Sequence, residues 1–114
     1  MNEQWKDIAG YKGYYQISNY GHVRSLDRYI SDKNGKVRFL KGQDMKLSNQ
    51  KGRKNDDSKY LVVNLKMQGT AKVFSVHRLV AEHFIPNPNK LPTINHKDGN
   101  KSNNIYINLE WATF

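Results

Sequence analysis

The hydrophobic pattern of this chain repeats every two residues in its short apolar stretches and becomes helical in one segment. There, five positions share one face at helical spacing: Val76, Leu79, Val80, His83 and Phe84. Pro86 and Pro88 follow and cannot continue a helix. Elsewhere, β-branched and aromatic stretches are separated by Gly, Asn and Asp. The sequence therefore predicts an α+β protein of short antiparallel strands with one helix, from about Val76 to Phe84.

Turn residues group the predicted strands into hairpins. Asn34-Gly35 predicts a turn between strands at 28–30 and 37–40, and Gln68-Gly69 predicts one between strands at 60–66 and 72–76. A third hairpin is predicted from strands at 93–96 and 105–111. Its connection holds an Asp-Gly-Asn turn at 98–100 and a polar loop at 102–104. Residues 48–58 have no periodicity and predict a loop or linker.

Positive charge is the strongest compositional signal. The chain has 19 Lys and Arg against 10 Asp and Glu, a net charge of +9 in 114 residues. Between Lys33 and Lys54 eight basic residues are opposed only by Asp44, which favours a polyanionic partner. The residues predicted to contact this partner, DNA or RNA, are Arg24, Arg28, Lys36, Arg38, Lys41, Lys51, Arg53 and Lys54, with Arg78 on the helix.

Several classes of protein are excluded by what the sequence lacks. There is no Cys, so disulfides and thiolate zinc sites are impossible. No run approaches the roughly 18 apolar residues of a membrane span, and the N-terminus has no apolar signal-peptide core. These features predict a soluble intracellular protein without a membrane partner.

Among the four histidines, His96 is the best candidate for chemistry. It ends a predicted strand, and a neutral imidazole can take a proton from water at neutral pH. Asn95 precedes it and offers an oxygen suited to a hard cation. By contrast, His77 and His83 lie about 240° apart around the helix axis and cannot share a metal ion. His83 is predicted to pack in the core, and His22 to be solvated.

Two blocks of sequence together resemble the phage-type HNH homing endonucleases. Three segments resemble the HNH core: VHRLVAEHFIPNP at 76–88, INHKDGNKSNN at 94–104 and NLEW at 108–111. The segment WKDIAGYKGYYQISNYGHVRSL at 5–26 resembles the nuclease-associated module that precedes this core. The resemblance implies a basic, β-rich DNA-binding module with linker at 1–57 and an HNH core at 58–114.

The resemblance also implies a mechanism and a set of site residues. The core would have the ββα-metal fold and hold one divalent ion, Mg²⁺ or Mn²⁺, with no small-molecule cofactor. Asn95 matches a metal-ligand position, His96 the general base, and Asn108 the central Asn that steadies the loop carrying the base. The implied partner is double-stranded DNA, cleaved in the cytoplasm, which is that of the host cell if the chain is phage-encoded.

One departure from the family pattern keeps other readings open. The family's last metal ligand lies on a helix after the NLEW strand, whereas this sequence ends at Phe114. We therefore expect that helix to be missing, and the chain alone to bind DNA and nick it weakly or not at all. The alternatives are a non-catalytic DNA-binding module derived from a truncated HNH nuclease, and a structural domain with no nucleic-acid role. The sequence does not indicate an oligomeric state.

Overall fold

Short antiparallel sheets and one helix make up the part of the chain, residues 2–49 and 60–114, that the computed structural model describes. The first sheet contains β1 (Trp5–Asp7), β2 (Tyr15–Ser18) and β3 (Val23–Ser25), with β2 in the middle. Gly21 closes the turn from β2 to β3 at φ 87°, a left-handed conformation that Gly adopts without steric cost.

The second sheet is a hairpin of β4 (Arg28–Ser31) and β5 (Val37–Leu40), as the sequence predicts. Tyr29 is paired with Phe39. The loop is tied by the side chain of Asp32, which accepts hydrogen bonds from the backbone N–H groups of Asn34 and Lys36, each at 2.9 Å. Local turn chemistry therefore helps to close this hairpin.

The third sheet corrects part of the predicted linker. It contains β6 (Ser48–Asn49), β7 (Leu61–Met67) and β8 (Thr70–Ser75) in that order. Ser48 and Asn49 were predicted to lie in a loop but pair with β7, because two residues are too few to show a period. Residues 50–58 of that prediction, and the predicted domain boundary at 57/58, lie outside the described residues. The turn predicted at Gln68-Gly69 is confirmed.

Helix α1 (Val76–Phe84) has the predicted bounds. It leads to a hairpin of β9 (Thr93–His96) and β10 (Leu109–Ala112). The predicted second strand at 105–111 begins too early, because Tyr106–Asn108 forms a 3₁₀ turn. The Tyr106 N–H donates to the carbonyl of Asn19, 2.8 Å away, in the turn after β2, so a distant partner draws this segment out of the hairpin.

One hydrophobic core joins the first sheet to the helix and to the last hairpin. Its buried members include Ile17 from β2, Val63 and Leu65 from β7, Val80 from α1, and Leu109 from β10. The predicted packing of α1 against the hairpin is present, and the Trp111 indole N–H also donates to the Ile85 carbonyl at 3.0 Å. No helix in the described residues is long and apolar enough to cross a membrane.

Candidate active site

The loop between β9 and β10 is held by the side chain of Asn108. Its Oδ1 accepts from the backbone N–H of Asp98 at 3.1 Å. Its Nδ2 donates to the Asp98 carboxylate at 3.0 Å and to the Asn103 carbonyl at 2.9 Å. Asn108 is buried, so leaving its amide without these partners would be costly. The contacts tie both ends of the loop to the strand that follows it.

Asp98 is the second organising group of this loop. Its carboxylate accepts hydrogen bonds from the Asn103 side chain at 2.9 Å and from the Asn100 backbone N–H at 2.8 Å. The donors at Asn103, Asn100 and Asn108 favour the ionised carboxylate and lower the pKa of Asp98. Asp98 is thus ionised at neutral pH. Its carboxylate accepts these hydrogen bonds, and they hold the loop in one conformation.

His96 lies at the end of β9, where this loop begins. Only 7% of its surface is exposed. Its Nε2 lies 2.8 Å from Oδ1 of Asn104, which is 4% exposed. The sequence predicts a polar loop at 102–104 that does not serve as packing material, and Asn104 departs from that prediction because its side chain is buried. The chain turns back at Asn100, whose carbonyl accepts from the Asn103 N–H at 3.0 Å, and the next residue lies beside the imidazole.

Two further rings surround His96. The ring centroid of His77 lies 5.2 Å from that of His96 and 4.9 Å from that of Tyr60. Burial lowers the pKa of His77 to about 4, and electrostatic interactions with the His96 ring and the Arg78 guanidinium lower it too. His77 is therefore neutral at neutral pH. The helix pattern gave no sign of this cluster, because His77 meets His96 only through tertiary packing.

His83 has a structural role, as its place on the apolar face predicts. Its Nδ1 lies 2.7 Å from the Leu79 carbonyl, and its Nε2 accepts from the Ala9 backbone N–H at 3.0 Å. The carbonyl can only accept and the N–H can only donate, so both ring nitrogens are assigned and the proton is on Nδ1. His83 thus links α1 to the N-terminal segment.

Asn95, the predicted metal ligand, occupies a different environment from His96. It is exposed, and its Nδ2 donates to Glu110 of β10 at 2.8 Å, its cross-strand neighbour. Successive strand residues point to opposite faces, so the structure does not bring Asn95 and His96 together on one face. The amide oxygen and the Glu110 carboxylate are hard-cation donors, so this pair suits one side of a Mg²⁺ shell. The described residues contain no cluster of three His, Cys, Asp or Glu able to hold a metal ion.

The predicted DNA-contact residues fall into three groups. Three guanidinium groups contact the protein itself: Arg24 lies 4.0 Å from the Trp5 ring centroid, Arg28 lies 4.3 Å from that of Tyr14, and Arg78 pairs with Glu82 at 2.9 Å. A second group is exposed, on or beside the β4–β5 hairpin, and comprises Lys36, Arg38 and Lys41. Lys51, Arg53 and Lys54 lie outside the described residues.

Comparison with known proteins assigns the chain to a class. The NUMOD4 motif matches residues 3–66, more than half of the sequence, and the chain belongs to this family. The resemblance to phage-type HNH homing endonucleases is confirmed. The chain is 42% identical over 110 residues to the DNA endonuclease I-HmuI of Bacillus phage SP01, covering 96% of this chain and 52% of the relative. It is also 40% identical over 114 residues to the uncharacterized HNH endonuclease L245 of Acanthamoeba polyphaga mimivirus, covering 100% of this chain and 28% of the relative.

A solved structure gives the same result for the fold. It describes DNA binding and cleavage by the HNH homing endonuclease I-HmuI, and it superposes with a TM-score of 0.66 at 40% identity. The match covers 96% of this chain and 52% of that one. The chain therefore spans about half the length of the phage relative.

Proposed function

We propose that this chain carries the DNA-cleaving core of an HNH endonuclease, with His96 as general base and one divalent metal ion. The observation that carries the proposal is the environment of His96. The imidazole lies at the tip of the β9–β10 hairpin, in contact with Asn104, on a loop that Asn108 ties in place. Relatives of the same sequence pattern are named as HNH endonucleases.

Two residues of the chain would have different roles in the reaction. His96 takes a proton from the water that attacks the scissile phosphorus, which makes the water a better nucleophile. Asn108 acts indirectly, because its hydrogen bonds to Asp98 and Asn103 fix the loop on which the base stands.

The divalent ion is the second component of the proposal. When bound, the ion stabilises negative charge on the phosphate and on the leaving oxygen. Asn95 would hold it through the amide oxygen, and Glu110 is the neighbouring carboxylate that fits the same role. Mg²⁺ commonly keeps several waters, so a small set of protein oxygens is an ordinary arrangement for it.

The β4–β5 hairpin is the proposed surface for double-stranded DNA. Arg38 and its neighbours Lys36 and Lys41 are exposed, and a phosphate backbone would neutralise their charge. Arg24, Arg28 and Arg78 are proposed to assist through the guanidinium faces left free by their contacts. Lys51, Arg53 and Lys54, which lie outside the described residues, are proposed to add their positive charge to the same interaction. A protein of this type would act on DNA in the cytoplasm of the host cell.

DNA binding without cleavage is a second candidate function, favoured by one specific observation. His96 is buried and Asn95 is exposed on a strand whose successive residues alternate faces. In this arrangement the base and the proposed metal ligand are not side by side. The basic β4–β5 hairpin would then be the functional part of the chain.

Relaxation of supercoiled plasmid with Mg²⁺ or Mn²⁺ tests both candidates. We expect slow, metal-dependent nicking by the chain and a loss of roughly 10²- to 10⁴-fold in His96→Ala, with DNA affinity nearly unchanged. His22→Ala is the matched control, because His22 is exposed and lies outside the hairpin. Nicking that survives His96→Ala would overturn the assignment of the base. DNA binding without nicking at any metal concentration would establish the second candidate.

A further inference from the structure

The contact between His96 and Asn104 determines which imidazole nitrogen carries the proton. A neutral imidazole has one N–H donor and one acceptor nitrogen. An amide oxygen only accepts, and Oδ1 of Asn104 lies 2.8 Å from Nε2 of His96, so in this orientation of the amide the Nε2 is the donor. The Nδ2 of Asn104 is buried and has no hydrogen-bond partner among the described residues. The lone pair of His96 is then on Nδ1, which is the nitrogen able to take a proton from water. The neighbour of a working histidine selects its tautomer in this way.

Asn104 is itself held by the turn between β2 and β3. Gly21 packs directly against it: a Cβ on Gly21 would lie 3.0 Å from Asn104 Cβ and 3.2 Å from its carbonyl oxygen. Two residues earlier, the Asn19 carbonyl accepts from the Tyr106 N–H at 2.8 Å. The turn between β2 and β3 therefore contacts the β9–β10 loop on both sides of Ile105.

The turn between β2 and β3 is held by several hydrogen bonds of its own. The Asn19 side chain accepts from the Gln4 backbone N–H at 2.8 Å. The buried Ser18 hydroxyl accepts from the backbone N–H groups of Tyr20 at 3.2 Å and of His22 at 3.1 Å. Because these bonds are made within the first sheet, that sheet sets the position of residues 104–106.

We propose that Asn104 is the positioning residue of His96, and that Gly21 and Asn19 of the N-terminal sheet support Asn104 in that role. The catalytic consequence rests on the proposed function of His96, whereas the tautomer does not. The N-terminal sheet is then part of the construction of the active site as well as of the DNA-binding surface.

The first test detects the Nε2 proton of His96 by nuclear magnetic resonance of the histidine-labelled chain, at a pH near 8 where imidazoles are neutral. We expect a protected Nε2–H signal for His96. In Asn104→Ala its exchange with water should accelerate by roughly three- to tenfold, the equilibrium value of one hydrogen bond. Asn104→Asp keeps an acceptor oxygen at the same place and should retain the signal.

Two results of this test would overturn the proposal. One is a proton on Nδ1 of His96 in the unsubstituted chain. The other is an unchanged Nε2–H signal in an Asn104→Ala chain whose thermal unfolding shows that it is folded.

A pair of glycine substitutions tests the support by the N-terminal sheet. Gly21 and Gly13 have nearly equal φ angles, +87° and +85°, so Ala at either position meets the same backbone strain. At Gly13 the added Cβ meets nothing within 4 Å, whereas at Gly21 it meets Asn104. Gly21→Ala should therefore change the His96 Nε2–H signal and Gly13→Ala should not. Equal effects of the two substitutions, or no effect of Gly21→Ala, would refute the support.

Nicking rates then separate this proposal from the proposed function. If both are correct, Asn104→Ala and Gly21→Ala lower the rate by roughly 10- to 100-fold, the usual effect of losing a group that orients an active-site residue. Asn104→Asp should recover much of it. If the chain nicks through His96 and Asn104→Ala keeps the full rate, the positioning role is wrong. If no variant nicks, the nuclease assignment fails, and the resonance signals alone decide the role of Asn104.

Discussion

The hairpins β4–β5 and β9–β10 have the same antiparallel backbone and opposite side-chain environments. In β9–β10 three polar side chains are inside: His96, Asn104 and Asn108 are buried and hydrogen-bonded to one another or to the loop. In β4–β5 the apolar groups are outside: Tyr29 is 74% exposed and Phe39 53%. The β9–β10 hairpin thus depends on the rest of the molecule, whereas the β4–β5 hairpin is held mainly by its own turn and cross-strand pairs.

This difference matches the two tasks proposed for the hairpins. An isolated two-stranded hairpin is only marginally stable. The Tyr29–Phe39 pair, with ring centroids 5.4 Å apart, nevertheless leaves its aromatic surface exposed instead of burying it in a core. Exposed apolar groups among basic ones are typical of a surface that meets a partner. Hydrogen bonds between buried polar groups instead favour one geometry, which is what a proton-transferring group needs.

The largest expected effect on stability is that of Asn108→Ala. The substitution removes three hydrogen bonds and leaves the Asp98 N–H and the Asn103 carbonyl without this partner. We expect the free energy of unfolding to fall by about 2 to 3 kcal/mol, measured by urea denaturation. Asn34→Ala in the β4–β5 loop is the control and should change it by less than about 0.5 kcal/mol. A comparable loss in both variants would remove the contrast between the hairpins.

A second expected effect concerns the pH dependence of stability through His77. The folded ring has a pKa of about 4 and the ordinary value is 6.5. As pH falls through this window the unfolded chain takes up the proton first, so the folded state is destabilised. After allowance for solvent screening, the unsubstituted chain should lose about 1 to 2 kcal/mol more than His77→Phe between pH 7 and pH 4. Parallel pH profiles for the two chains would show that His77 is not the group responsible.

A smaller effect is expected for the basic residues of the exposed hairpin. Arg38→Ala and Lys41→Ala should each weaken DNA binding to all sequences alike, because phosphate contacts do not read bases. The slope of log affinity against log salt should fall by roughly one unit per lost contact, with thermal stability unchanged. Lys12→Ala, in the turn before β2, controls for the loss of one charge. An equal decrease for Lys12→Ala would mean that net charge, and not this hairpin, determines binding.

The smallest expected change in stability is that of Phe39→Ala. An exposed aromatic pair contributes about 0.5 to 1.5 kcal/mol at most, and solvent exposure places Phe39 at the low end. Fluorescence-monitored unfolding should therefore show a change below about 1 kcal/mol, while DNA affinity falls. If Phe39→Ala unfolds the chain as Asn108→Ala does, the β4–β5 hairpin has a structural role that its exposure does not indicate.

Helix α1 and the hairpin turns could be predicted from the sequence, because their signals are local. The spacing of Val76 to Phe84 defines one face of a helix, and Pro86 ends it. Asn34-Gly35 and Gln68-Gly69 supply turn conformations without help from distant residues. Ser48–Asn49 and Tyr106–Asn108 were predicted incorrectly, because their conformations depend on β7 and on Asn19, far away in the chain.

The residues of the candidate site show the same difference between local signals and contacts with distant parts of the chain. His96, Asn95 and Asn108 were identified from sequence through their resemblance to a known pattern, and their proposed roles still await the substitutions above. The sequence did not identify Asn104, His77 or Glu110 as site residues, because an Asn in a polar loop, a His on a helix and a Glu on a strand are ordinary by themselves. The sequence by itself determined helix α1 and the hairpin turns, and it supplied the candidates for the reactive groups. Only the tertiary structure decided which groups meet, because Gly21 and Asn104 come into contact through the packing of the first sheet on the helix and last hairpin, and no local rule encodes that packing.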